Sequence, residues 1–369
     1  MVADSGEAAG TLEELLRKTF GTPALLLTDS GTSALTLALG AAATPPAPRL
    51  VALPAYGCYD LATAVDGARV DVHLYDVDPR SLGPDLGSLE SALRSGARTI
   101  VVASLYGMPI DLDSVRELAA RYGAVLVEDA AQAVGMTWHD RPAGSVGALG
   151  VLSFGRGKGV TGGGGGALLL NDEKIKVSAL SLERRGNPRG LKVVVGLIAQ
   201  WALARPELYA LPSLLPLGLG ETRYHPPATI GAASPAACAA VLRTLPLGLA
   251  EVAIRRRNAS RLFEAASQRS RFTAIPGVKG GNPSFLRLPL IASEGSAPFT
   301  VRSASGLGIM PGYPLALCDL PGFAGRVKNR SDAFTGARTL AARLGTLPTH
   351  SRLSESDLER LELWIHGRG

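Results

Sequence analysis

The chain has 369 residues, 46% hydrophobic and 19% charged, which suits a soluble globular protein with one large domain and a smaller one. A net charge of +6, from 38 Lys+Arg against 32 Asp+Glu, is small for this length, and the compact basic run Arg255-Arg256-Arg257 reads as an exposed helix face, so no nucleic-acid partner is expected. Cys58, Cys238 and Cys318 are too scattered for a zinc site or a disulfide framework, no metal is expected, and the N-terminus lacks the basic-then-apolar pattern of a secretory signal, which points to a cytoplasmic protein.

Thr11–Phe20 predicts a short helix and Ala24–Leu27 a strand. The segment DSGTSALTLALGAAA opens on Ser, Gly and Thr and turns into an Ala/Leu-rich helix. RLVALPAY predicts a buried strand ending in a proline turn, followed by a helix over Cys58 to Val65. Val70–Asp76 is strand-like, Leu86–Leu93 helical, and Thr99–Ser104 a strand entering the turn YGMP. Asp113–Tyr122 is helical with Val115, Leu118 and Ala119 inward, and Ala124–Val127 is an apolar strand ending at Glu128-Asp129. Short apolar strands alternating with helices of about ten residues mean β-α units on a mainly parallel sheet. Leu149–Phe154 and Ala167–Leu170 predict two further strands around a glycine-rich stretch. Residues 181–227 resist assignment. A long helix from about Glu251 to Ala266, strands such as Ser284–Leu290 and a last helix at Ser354–Ile365 follow. The expected division is a large domain over residues 1–245 and a small one over 246–369. The greasiest stretch, 193–204, is too short to cross a bilayer.

Four pieces of this pattern carry chemistry. Ser30-Gly31-Thr32 precedes a helix and would turn backbone N–H groups and a hydroxyl toward an anion. Ordinary helix capping reads the same way, and the spacing is neither GxGxxG nor a P-loop. Glu128-Asp129-Ala130-Ala131-Gln132 puts carboxylates at the end of a parallel strand, where an Asp can pair with a protonated heterocyclic nitrogen or merely cap the next helix. Ser153-Phe154-Gly155-Arg156-Gly157-Lys158 puts a lysine in a glycine-rich turn just past an apolar strand, suited to a Schiff base or to a phosphate contact, with Ser153 placed to hold a phosphate. Five glycines, Gly162 to Gly166, cost chain entropy, so the backbone there passes close to something or adopts dihedrals other residues avoid.

With these motifs together, the chain resembles the fold-type I pyridoxal-phosphate (PLP) enzymes, and within them the sugar aminotransferase (DegT/StrS-type) family. The likeness runs through SGTSALTLAL, VALPAY, VEDAAQAVG and SFGRGKGVTGGGGGALL to the tail LPTHSRLSESDLERL. It implies a three-layer α/β/α large domain with a C-terminal α+β domain. Lys158 would be the Schiff-base lysine and proton shuttle, and Asp129 the partner of the pyridine nitrogen. Gln132 would contact the ring hydroxyl, Gly31, Thr32 and Ser153 the phosphate, and Ala131 one ring face. The family places an aromatic after the strand-end proline; here PAYGCYD puts Cys58 near that place with Tyr56 and Tyr59 on either side, so Cys58 and Tyr59 are candidate cofactor neighbours. Its "N.R" segment, which reaches the phosphate of a neighbouring subunit, is matched by Glu221-Thr222-Arg223, with Arg223 as the candidate contact. The implied protein is a homodimer that moves an amino group from an amino acid donor, glutamate by resemblance, to a keto or aldehyde acceptor. Residues 193–219, rich in Leu and Val, suit an acceptor more apolar than a nucleotide-linked sugar, a dimer interface or small-domain core, or contact with a membrane surface. Rival readings are a decarboxylase or condensing enzyme on the same cofactor, or a regulatory relative without catalysis. Lys158 speaks against the dehydratase branch, in which that lysine is replaced.

Overall fold

Short apolar runs bounded by turns build the core of this computed structural model, which describes residues 5–43, 49–175, 224–268, 270–293, 299 and 305–367. In chain order the elements are α1 (Ser5–Phe20), β1 (Ala24–Thr28), α2 (Gly31–Ala42), β2 (Leu50–Pro54), α3 (Asp60–Ala68), β3 (Asp71–Tyr75), α4 (Leu86–Arg94), β4 (Thr99–Ala103), α5 (Leu112–Arg121) and β5 (Val125–Asp129). There follow β6 (Thr137–Trp138), β7 (Arg141–Pro142), β8 (Leu149–Ser153), β9 (Gly166–Leu170), α6 (Pro235–Ser267), β10 (Phe272–Ala274), β11 (Gly281–Asn282), β12 (Leu288–Ala292), β13 (Met310–Pro311), α7 (Thr335–Arg343), β14 (Leu344–Leu347) and α8 (Glu355–Ile365).

The main sheet runs β1-β9-β8-β5-β4-β2-β3, with β9 antiparallel to both its neighbours and the other strands parallel to one another. Every residue of β4 and β8 is buried, the signature of strands covered on both faces. Helix α2 is apolar nearly all round because it lies against α3, β8 and β9. A second sheet, β10-β12-β14-β13, is wholly antiparallel and packs against α6 and α8. This is the expected mainly parallel α/β architecture with a smaller α+β region after it.

Helix α6 begins sixteen residues before its predicted start. Ser234 caps it by accepting from the Ala237 N–H at 3.2 Å, and Pro235 occupies the first turn, where its missing N–H costs nothing. Pro246 lies inside and reads as a stop in the sequence, yet the helix passes through it, held from both sides. Cys238, Val241 and Leu245 share a core with Leu12, Leu16 and Phe20 of α1, and Leu262 and Ala265 share another with Phe272, Leu290 and Trp364. By length and composition α6 could also cross a membrane, but Cys238, Val241, Leu245, Leu262 and Ala265 enter these two cores.

Two local expectations change. The basic run is not one exposed face: consecutive helical residues lie about 100° apart, so Arg255 is buried, Arg256 donates through Nε to the Pro283 carbonyl at 2.8 Å, and of the three only Arg257 is exposed. The strand expected at Ser284–Leu290 begins only at Leu288, because the Ser284 N–H donates to the Gly107 carbonyl at 2.9 Å and draws that stretch onto the turn after β4 instead. The apolar segment 193–219 and Glu221-Thr222-Arg223 lie outside the described residues.

Candidate active site

Parallel strands open their carboxyl ends toward one edge of a sheet, and that edge collects most of the predicted residues. Asp129 is the last residue of β5 and Ser153 the last of β8; Tyr56 to Tyr59 follow β2 directly, and Tyr106 follows β4. Neighbouring residues of a strand face opposite sides, so Glu128 and Asp129 have different tasks. The Glu128 carboxylate is buried and accepts the backbone N–H groups of Gly144 (3.1 Å), Val146 (2.5 Å) and Gly147, which ties down the loop before β8. Asp129, on the opposite side of the strand, is half-buried. Its Oδ1 accepts the Ala131 N–H at 3.0 Å; burial raises its pKa, while that hydrogen bond and the charge of Lys158 pull it back down.

Lys158 sits between two glycines in the left-handed region, Gly157 (φ 77°) and Gly159 (φ 83°), so the turn presents its side chain without Cβ strain on either side. Its charge acts on Asp129 and on Cys58. The buried Arg255, paired with Glu251 at 3.1 Å, supports this turn from α6: a Cβ on Gly159 would lie 3.0 Å from its guanidinium. The glycine run makes close approaches and uses unusual dihedrals. Gly163 and Gly165 have φ of 71° and 97°, and a Cβ on Gly166 would lie 2.6 Å from the Gly31 nitrogen. The result is that the N-terminus of α2 lies against the end of β8. A Cβ on Gly31 would stand 2.6 Å from Ser153 Cβ and 2.9 Å from its hydroxyl, so Ser153 lies directly against the positive end of α2, where Gly31 and Thr32 begin the helix.

The sequence profile of the DegT/DnrJ/EryC1/StrS aminotransferase family matches residues 2–197. The chain belongs to that family. Among curated relatives, L-glutamine:2-deoxy-scyllo-inosose aminotransferase of Streptoalloteichus tenebrarius is 36% identical over 146 residues, 40% of this chain and 34% of that protein. The chain thus spans about a third of that relative's length. Among solved structures, a DegT DnrJ EryC1 StrS aminotransferase from Brucella abortus superposes with a TM-score of 0.75 at 22% identity, covering 98% of this chain and 90% of the other. The E. coli GDP-4-keto-6-deoxy-D-mannose-3-dehydratase with bound hydrated PLP does so at 0.73 and 19%, covering 98% and 92%. These last two likenesses establish the shared fold.

For a DegT/StrS-family member, the described residues fit PLP: a donor cradle for a phosphate, a buried carboxylate that needs a cation, and a lysine whose charge reaches that carboxylate. Ala131 and Gln132 follow Asp129 on the same turn. Burial pushes the Cys58 thiol up to about 12, with Asp60 adding to the effect, so it is a neutral wall beside Lys158 and Asp129. Tyr59 is buried, and its hydroxyl accepts the Leu315 N–H at 2.9 Å, facing the 313–315 loop.

Sequence reasoning pointed to Tyr56 and Tyr59 but missed Tyr106 and Tyr313, which pack with them. Tyr313, from the loop after β13, has its ring centroid 5.8 Å from that of Tyr56, 6.0 Å from Tyr59 and 6.4 Å from Tyr106. Tyr106 adopts a left-handed backbone (φ 58°, ψ 17°), which costs a non-glycine residue of order 1–3 kcal/mol and is typical of functional turns. The YGMP turn is a signal that could have flagged Tyr106. Tyr313 carries no such signal, since its partners are more than 180 residues away.

Proposed function

We propose that this chain is a PLP-dependent aminotransferase that moves an amino group from an amino acid to a keto sugar or a related cyclic ketone. The observation that carries the reading is the Lys158–Asp129 electrostatic pair at the carboxyl edge of the sheet beside the Gly31–Ser153 cradle. When bound, PLP supplies the reactive aldehyde and an electron-withdrawing ring. The Lys158 amine is the nucleophile that holds it and later carries a proton to and from the substrate carbon. Asp129, whose charged form is disfavoured by burial, gains a cationic partner in the ring nitrogen and keeps that nitrogen protonated. Gly31, Thr32 and Ser153 hold the phosphate, Ala131 packs on a ring face, and the Gln132 amide meets the ring hydroxyl.

The relative named for L-glutamine and an inosose supports glutamine beside glutamate as donor and a polyhydroxy ketone as acceptor. The proposed working unit is a homodimer in the cytoplasm, in which Arg223 reaches the neighbour's phosphate. The test is a half-reaction. The loaded protein absorbs as a Schiff base, loses that band with glutamine or glutamate while releasing the keto acid, and regains it with a keto sugar. Borohydride reduction and peptide mapping should label Lys158. A band unmoved by any amino acid, or a label on Lys174, would sink the reading.

A further inference from the structure

The orientation of the Gln132 amide is settled by its neighbours. The Tyr106 backbone N–H can only donate, so the group 3.0 Å from it is Oε1, and Nε2 must then donate to the Tyr313 hydroxyl at 2.8 Å. One proton of the amide nitrogen is used there and one is left. Tyr313 is itself fixed: its N–H donates to the Tyr56 hydroxyl at 2.9 Å, its ring packs against those of Tyr56 and Tyr106, and a Cβ on Gly312 would collide with Tyr56. Burial raises the Tyr313 pKa well above that of a free tyrosine, so the hydroxyl is neutral and serves as an acceptor.

We propose that Tyr313 is a positioning residue: its hydroxyl locks the Gln132 amide so that the remaining N–H is held for the ring oxygen of the cofactor. Through this contact the loop between β13 and α7 reports its docking to the cofactor side of the molecule. The inference rests on the PLP assignment above. A donor held on that ring oxygen weakens the oxygen's own hold on the Schiff-base proton, so it lowers the pH at which the visible band of the lysine-bound cofactor titrates.

The experiment measures that pH midpoint in the loaded wild type, in Tyr313→Phe, in Gln132→Met and in the double variant, with PLP affinity and melting temperature beside it. Phe keeps the ring against Tyr56, Tyr59 and Tyr106, and so tests the hydroxyl alone. Both single variants should raise the midpoint by about half a unit or more, a threefold change in proton affinity, and the double variant should add nothing to Gln132→Met. A midpoint that moves in Gln132→Met but not in Tyr313→Phe overturns the inference and leaves the cofactor reading intact. So do shifts that add in the double variant, because additivity means the two side chains act independently. A wild type with no Schiff-base band at any pH overturns both, and a band that does not titrate overturns this inference alone. If Tyr313→Phe loses stability, the same cycle read from Gln132→Met decides whether the hydroxyl acts through the amide.

Discussion

Substituting Gly31 by Ala asks whether the α2–β8 junction is a phosphate cradle or only a tight packing contact. The added Cβ would stand 2.6 Å from Ser153 Cβ and 3.3 Å from its Cα, whereas unstrained carbon contacts lie at about 3.5–4.0 Å. One partner must therefore retreat by about 1 Å. Both are anchored: Gly31 starts a buried helix and Ser153 ends a strand hydrogen-bonded on both sides. Overpacking of this kind costs about 1–3 kcal/mol. If the helix end shifts, the donors no longer converge, and the same energy expressed as affinity weakens PLP roughly fivefold to a hundredfold. Thermal melting of the cofactor-free protein and equilibrium PLP titration read the two effects separately. A Ser153→Gly change in the Gly31→Ala background removes the obstructing atoms, so melting should recover while affinity stays low for want of the hydroxyl. Wild-type melting together with PLP affinity within about twofold in Gly31→Ala would refute the close approach and the cradle.

Asp129→Asn should cut turnover of the loaded enzyme roughly a hundredfold, about 2.7 kcal/mol, and near-normal turnover at saturating cofactor would remove its role. The same variant should melt higher without cofactor. Burial raises the folded-state pKa of Asp129, and an acid raised by folding stabilises fully below its unfolded pKa and loses that contribution as pH rises through the folded one, so the gain at neutral pH should vanish near pH 3. Glu128→Leu leaves the N–H groups of Gly144, Val146 and Gly147 buried without their acceptor. Chemical denaturation should show a loss of roughly 3 kcal/mol or more, and an unchanged midpoint would mean the loop does not depend on that carboxylate. For assembly, mixed dimers of Lys158→Ala and Arg223→Ala chains should regain one intact site where both parents are poor. No recovery would place Arg223 in its own subunit or away from the cofactor.

Much of this molecule is legible in the chain itself, because short-range chemistry decides it. Apolar five-residue runs bounded by turns read as buried strands, the Ser30 cap announces α2, and the glycines around Lys158 announce a turn that presents a lysine. Asp129 at a strand end follows from the alternation of β and α alone. Tertiary structure decided what depends on contacts between distant segments. It turned Glu128 away from Asp129 and onto a loop, carried α6 through Pro246 because two cores hold it, and buried Arg255 behind the Lys158 turn. It also brought Tyr313 to Gln132 across 181 residues of chain. Local propensity extends over a few residues, whereas a hydrogen bond between loops of two sheets exists only once both sheets are packed. For that reason the strand-end candidates, Tyr56 and Tyr59 among them, could be listed from the sequence, and the contacts of Tyr106 and Tyr313 with Gln132 could not.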